Sequence, residues 1–271
     1  MLKDIFGTNK PVIGVIHLLP LPGSPRWGGN IETVIQRAEQ EAAALASGGV
    51  HGIIVENFFD APFTKNKVDT ATACAMSLSV QRIMAICDLP VGINVLRNDG
   101  LSALAIALST GAQFIRVNVL CGAMLTDQGI IEGQAHELQL YRSQMQGAKN
   151  IRIFADVMVK HASPLTESYS LAQTAKDTVE RGLADALIIS GIATGHEPDL
   201  RHLQEVKTAL SSVPVLVGSG ATKDNVRSLL SSADGVIVAS SLKRQGLIEN
   251  PIDVERVRNL VSAVATTAPA L

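Results

Sequence analysis

The strongest constraint on the fold is a rhythm. Eight short, continuously apolar runs rich in Val and Ile recur at residues 11–18, 52–57, 90–96, 114–119, 152–160, 186–191, 214–220 and 235–240. Most start at Pro or Gly, and such runs read as strands buried on both faces. Between them lie amphipathic stretches such as IETVIQRAEQEAAALASGG, LSALAIALSTG, SLAQTAKDTVERG and DLRHLQEVKTALSS. Several end in the glycine that commonly closes a helix. Strict alternation of strand and helix, eight times within 271 residues, predicts the α/β class and a (β/α)8 TIM barrel, one domain over 1–271. A doubly wound sheet is the alternative, but no GxGxxG fingerprint follows the first strand. With 46% hydrophobic residues and only 3% aromatics, the core must be aliphatic, as in parallel sheets covered by helices.

Charge excludes several functions. The formal net charge is −2, with no basic block, so nucleic acid is not expected as a partner. Lys243-Arg244 is the strongest positive pair, too little for a polybasic membrane anchor. The longest apolar stretch, PVIGVIHLLPLPG, is interrupted by prolines and falls short of the ~20 residues of a spanning helix. MLKDIFGTNK lacks the apolar core of a signal peptide. Cys74, Cys87 and Cys121 are odd in number and unevenly spaced, which argues against a disulfide framework and for a cytoplasmic, reducing compartment. No CxxC or HExxH pattern exists, and no metal or cofactor is expected beyond a phosphate-containing ligand.

Active sites of such barrels lie at the C-terminal ends of the strands. The polar exceptions fall there: His17, Glu56, Asn57, Asn94, Arg116, Asn118, Asp156, Lys160 and Ser190. Side chains two apart share a face. Arg116 therefore points with Asn118, and Asp156 with Met158 and Lys160, whereas His161 points away or has left the strand. Asp156, Lys160, Glu56 and His17 are the candidate catalytic groups, acting as acid or base. Asn94, Arg116, Asn118 and Ser190 are the candidate pocket. Polar groups that merely pair with one another would serve a filled barrel equally well, but so many at one end favour a binding pocket. His17, Glu56 and Asp156 could also converge on a cation, although nothing in their spacing demands it. Lys160 could form a Schiff base if desolvation lowered its pKa. An ion pair with Asp156, which would hold the ammonium charged, is the preferred reading.

GSGATKDN at 218–225 and ASSLK at 239–243 supply a second signal. Loops after the seventh and eighth strands bind phosphate on backbone N–H groups in many barrels. Gly218, Ser219, Gly220, Ser240 and Ser241 are the candidate anion-binding residues, and turns that only close strand–helix junctions are the alternative. PLPGSPRWGGN at 20–30 carries Trp27, readable as a lid, a partner contact or an aromatic packed on its own loop. His196 reads as a loop histidine.

Five segments carry a resemblance: PVIGVIHLLPLPGSP, IVENFFDAPF, RVNVLCGAMLTDQGIIEGQAHEL, ADVMVKHASPL and VGSGAT, spread from residue 11 to 222. Together they resemble the BtpA family. The resemblance implies a factor for accumulation or stabilisation of photosystem I proteins, peripheral on the cytoplasmic face of the thylakoid. Its implied partners are those proteins or their assembly machinery. SPRWGGN and ENFFDAPF are similar to members from oxygenic phototrophs, and Phe59 replaces a glycine common in the wider family. The resemblance carries over no catalytic residues. A barrel enzyme acting on a phosphorylated metabolite, and a homo-oligomeric scaffold with a vestigial pocket, remain the alternatives.

Overall fold

The computed structural model describes residues 1–165, 170–191 and 199–265. The eight apolar runs form strands β1 (Val12–His17), β2 (Gly52–Glu56), β3 (Val91–Asn94), β4 (Phe114–Val117), β7 (Arg152–Met158), β9 (Ala186–Ile189), β10 (Val215–Val217) and β11 (Gly235–Val238). They close into a parallel barrel in the order β1-β11-β10-β9-β7-β4-β3-β2. Helices follow the strands on the outside: α2 (Ile31–Gly48), α3 (Thr70–Ile86), α4 (Gly100–Thr110), α5 (Ala135–Gln144), α6 (Leu171–Glu180), α7 (Leu200–Ala209), α8 (Val226–Ser232) and α9 (Val254–Ala265). The TIM barrel expected from the alternation is the fold.

Residue parity divides the core in two. Val12, Ile16, Val55, Ile93, Ile115 and Ile153 face the helices and belong to the large outer core. Ile13, Ile54, Phe114, Phe154, Ile188 and Leu216 belong to a separate buried cluster that fills the barrel. Phe114 and Phe154 stack there with ring centroids 4.7 Å apart. Gly92 makes room for them: a Cβ at that position would lie 2.2 Å from the Phe114 ring. Two residues beyond Val15, Ile54, Gly92, Phe114, Phe154 and Ile188 in these inward columns stand His17, Glu56, Asn94, Arg116, Asp156 and Ser190, so apolar layers give way to polar ones at the C-terminal end.

Two elements went unread in the sequence. The first turn of the chain, α1 (Leu2–Phe6), buries Leu2 and Phe6 in the interior cluster and closes the N-terminal end of the barrel. Phe6 meets Phe114 edge-on, centroids 5.5 Å apart. Above the opposite end lies an antiparallel sheet of β5 (Ala123–Thr126), β6 (Gly129–Glu132) and β8 (Ala162–Pro164), ordered β6-β5-β8. Val119, Met124, Ile131 and Val159 form a small buried cluster at this sheet. β8 follows the fifth barrel strand through Lys160 and His161, the latter in the left-handed region at φ 56. That turn carries the chain from the barrel wall into the cap. Trp27 packs partly buried against the outer core.

Candidate functional site

Arg116, directed inward from β4, is the centre of the polar layer. Its Nε and Nη2 both donate to Asp156, each at 2.9 Å, and Nη1 donates to Glu56 Oε1 at 3.2 Å. Asp156 also accepts from Asn118 Nδ2 at 3.1 Å and from Ser190 Oγ at 3.2 Å. Asn94 Nδ2 donates to the Arg116 carbonyl and to Asn118 Oδ1, both at 3.0 Å. His17, Glu56 and Asn94 stand side by side in register on β1, β2 and β3. All of these groups are buried. The fork of an arginine matches a carboxylate bidentately, which a lysine cannot do, and β4 pairs directly with β7.

This geometry corrects one expectation. The Lys160–Asp156 ion pair is not formed, because Arg116, Asn118 and Ser190 take both Asp156 oxygens. Lys160 lies past the end of β7, beyond a register shift between Asp156 and Met158, and lines the barrel mouth without reaching Asp156. The expectations for the Met158 side chain and for His196 fall outside the described residues. Arg116 also supplies the positive charge between Glu56 and Asp156, where convergence of the carboxylates on a cation had been considered.

Burial alone would raise the Glu56 pKa. The contact with His17 and the charges of Arg116 and Lys160 outweigh it and bring the carboxyl down to about 2. Burial lowers the His17 pKa despite Glu56, so the imidazole is neutral at pH 7. His17 Nε2 faces Glu56 Oε2 at 3.6 Å, while Nδ1 is buried without a hydrogen-bond partner. The ring stacks on Phe58, centroids 4.2 Å apart. Asn94 Oδ1 is likewise buried without a hydrogen-bond partner among the described residues.

Above the layer opens a cavity of about 400 Å³. Glu56, Asn94, Arg116 and Asn118 line its floor, and Phe58, Phe59 and Phe63 supply apolar wall. Asp127, from the tip of the cap hairpin, and His161 stand at its side with Lys160 and Arg97. Arg97 is buried, and its Nη2 donates to the Lys160 carbonyl at 2.8 Å. Burial lowers the pKa of Arg97, as of Lys160, where the neighbouring Arg116 and Arg97 charges add to the effect and Glu56 and Asp156 oppose it. Burial and the charges of Lys160 and Arg97 likewise lower the His161 pKa. Among the described residues no carboxylate lies within ion-pairing distance of either Arg97 or Lys160. Arg97, Asp127 and Phe58 were not singled out from the sequence. An arginine just beyond the third strand, in NVLRNDG, was the available signal for the first of these.

The glycine–serine loops do not line this cavity. Gly218 N donates to the Ile189 carbonyl, and a Cβ on Gly218 would lie 2.3 Å from Ser190 Oγ. Gly220 has φ 77, and its carbonyl accepts from Asn225 Nδ2. Ser241 Oγ donates to the Ala221 carbonyl at 2.7 Å, tying the loops after β10 and β11 together. Ser240 opens a 3₁₀ turn, and Ser219 is buried. A second hollow of about 530 Å³ lies beside Asp60, whose carboxylate accepts from Leu21 N and Asn57 Nδ2.

The family model described as "BtpA family" matches residues 8–266. The chain belongs to the BtpA family. It is 58% identical over 265 residues to the photosystem I biogenesis protein BtpA of Synechocystis, covering 97% of this chain and 91% of that one. An uncharacterized protein of Thermococcus kodakarensis is 46% identical over 253 residues, 93% of this chain and 94% of its own. Among solved structures, N-(5'-phosphoribosyl)anthranilate isomerase of Pyrococcus furiosus superposes with a TM-score of 0.58 at 14% identity, covering 95% of this chain and 100% of that one. That likeness is one of fold. Among the described residues, no helix of this BtpA-family chain is long and apolar enough to cross a membrane.

Proposed function

We propose that this protein is a photosystem I biogenesis factor of the kind named by its Synechocystis relative, and that it acts through a small anionic molecule bound at the barrel mouth. The first half rests on the 58% identity over nearly the whole chain. A peripheral position on the cytoplasmic face of the thylakoid, with photosystem I proteins or their assembly machinery as partners, is part of the same proposal. The second half rests on one observation: Arg97 and Lys160 border the same cavity without a carboxylate partner among the described residues. An arginine without a carboxylate partner in a partly desolvated site favours an anion, and its fork is suited to carboxylate or phosphate.

Two experiments test the halves separately. Expression of this chain in a Synechocystis strain lacking its relative restores photosystem I relative to photosystem II; no restoration overturns the first half. For the second, inorganic phosphate and small phosphorylated or carboxylated metabolites are screened by thermal shift. A ligand at 100 times its Kd stabilises by ~2.7 kcal/mol, a rise of about 5–10 °C for a domain of this size. Arg97→Met abolishes the rise. No rise with any anion overturns the reading, and phosphate density over Gly218–Gly220 and Ser240–Ser241 in a crystal would move the anion to those loops.

A further inference from the structure

We propose that Lys160 is a covalent nucleophile, and that the molecule taken by the mouth cavity is an aldehyde or ketone that forms an imine with its amine. This rests on the anion-binding reading above and names the reacting group of the ligand.

The argument starts from where the negative charge has gone. A lysine beside two carboxylates ordinarily pairs with one of them. Here Asp156 Oδ2 accepts from Arg116 Nε and Asn118 Nδ2, and Oδ1 accepts from Arg116 Nη2 and Ser190 Oγ. Glu56 Oε1 accepts from Arg116 Nη1, and Oε2 faces His17. Arg116 and its companions have consumed the acceptors nearest the lysine. Lys160 has no ion-pair or hydrogen-bond partner for its amine among the described residues.

Its surroundings then act in the same direction. The cavity wall at Phe58, Phe59 and Phe63 is aromatic and poorly solvating. Arg116 and Arg97 repel an ammonium, while Glu56 and Asp156, whose oxygens are occupied by Arg116 and its neighbours, attract it from a distance. The other titratable groups at the cavity are His161 and Asp127, with Arg26 and Glu249 at the rim. Desolvation and like charges are the means by which a lysine is made nucleophilic. The backbone is held as well: Arg97 donates to the Lys160 carbonyl, and His161 turns the chain away into the cap. A site that positions a lysine while denying it a counter-ion differs from a structural salt bridge in both respects.

The chemistry balances without a co-reactant. The neutral Nζ attacks the carbonyl carbon, a proton passes from nitrogen to oxygen, and a carbinolamine results. Loss of its hydroxyl as water forms the C=N bond, so amine and carbonyl give imine and one water. Arg97 holds the anionic substituent of the same molecule.

The full-length protein is incubated with pyruvate, with glycolaldehyde phosphate or with uncharged glycolaldehyde, and each mixture is reduced with borohydride. Intact mass and peptide mapping then locate the secondary amine. Each unit by which a pKa falls raises the neutral amine fraction about tenfold at neutral pH. The expected result is one adduct at Lys160, formed at least about tenfold faster than at any exposed lysine and with a pH midpoint below their usual value of about 10.4. Lys160→Arg removes this adduct while the circular dichroism and melting of the variant match wild type. Should the variant misfold, the site of labelling in the wild-type protein still decides. Labelling spread over surface lysines, or a Lys160 midpoint at the ordinary value, overturns the proposal. Failure of the anion reading looks different: uncharged glycolaldehyde then labels Lys160 as fast as its phosphate does, and phosphate gives no thermal shift. A thermal shift with no Lys160 adduct leaves anion binding standing and defeats the imine.

Discussion

Replacing Arg116 with methionine isolates the electrostatic logic of the barrel mouth. The guanidinium lies between Asp156 and Glu56, and both carboxylates are buried. Methionine fills much of the space and offers neither charge nor donor. Removing one side of a buried ion pair costs about 3–5 kcal/mol, because the remaining charge is left uncompensated. The Glu56 carboxyl points the same way, with the His17 contact, Arg116 and Lys160 together lowering its pKa. Its folded pKa is about 2 against an ordinary 4.5, a difference worth about 3 kcal/mol. A depressed carboxyl pKa stabilises the fold above the unfolded value, and this contribution is lost as pH falls from about 4.5 toward 2. Without Arg116, one of the charges that keeps Glu56 ionised is lost and its pKa rises, so the penalty is present at neutral pH and eased when Glu56 protonates. Urea denaturation at pH 7 therefore shows a loss of about 3–5 kcal/mol in Arg116→Met, and the loss shrinks toward pH 4. A loss that is the same at both pH values, or below about 1 kcal/mol at pH 7, would refute the reasoning.

Three further perturbations probe the frame around the site. Phe6→Ala unplugs the barrel floor and destabilises by about 3–5 kcal/mol in urea denaturation; a change under about 1 kcal/mol would mean that α1 is dispensable. Gly92→Ala places a methyl 2.2 Å from the Phe114 ring and costs about 1–3 kcal/mol, which Phe114→Leu in the same chain partly relieves. Lys243 Nζ donates to both Glu41 oxygens at 2.7 Å in a fully buried pair. Lys243→Met costs about 1–3 kcal/mol at pH 7, because Arg37 Nε still donates to Glu41 Oε1 at 2.9 Å, and adding Glu41→Leu recovers part of it; equal losses in the single and double variants would contradict the pairing.

The barrel was legible because parallel strands buried on both faces leave long apolar runs, and all eight became barrel strands. Parity placed Arg116, Asn118 and Asp156 on the inward face, since β4 and the first part of β7 are regular. Lys160 also reaches the mouth cavity, but beyond the register shift after Asp156 it makes no ion pair with that carboxylate. Pairing was illegible. Period-two reasoning says which face a side chain occupies, not which carboxylate it reaches across a closed barrel, and Arg116 and Lys160 competed for the same one. The cap sheet escaped notice because its strands are three or four residues long and partly exposed. α1 escaped because five residues carry too little periodicity to distinguish a plug from an ordinary terminus.

The pieces that were hard to read are the ones that shape the cavity, and Phe59 shows how they act together. It lines the wall and meets His17 and Phe58 edge-on, with centroids 6.1 and 5.5 Å away. Its ring buttresses the His17–Phe58 stack and lines the same cavity as Lys160. Phe59→Gly removes the ring at a partly exposed position, so its effect falls on solvation of the site more than on the core. Water entering there solvates an ammonium better than the aromatic wall does, which moves the Lys160 pKa back toward 10.5. The pH midpoint of borohydride-trapped labelling at Lys160 accordingly rises in Phe59→Gly, while Arg116, Asp156 and Glu56 keep their pairing and the urea midpoint changes little. An unchanged labelling midpoint in a well-folded variant would show that desolvation by this wall is not what frees the amine, leaving the charges of Arg97 and Arg116 as the cause.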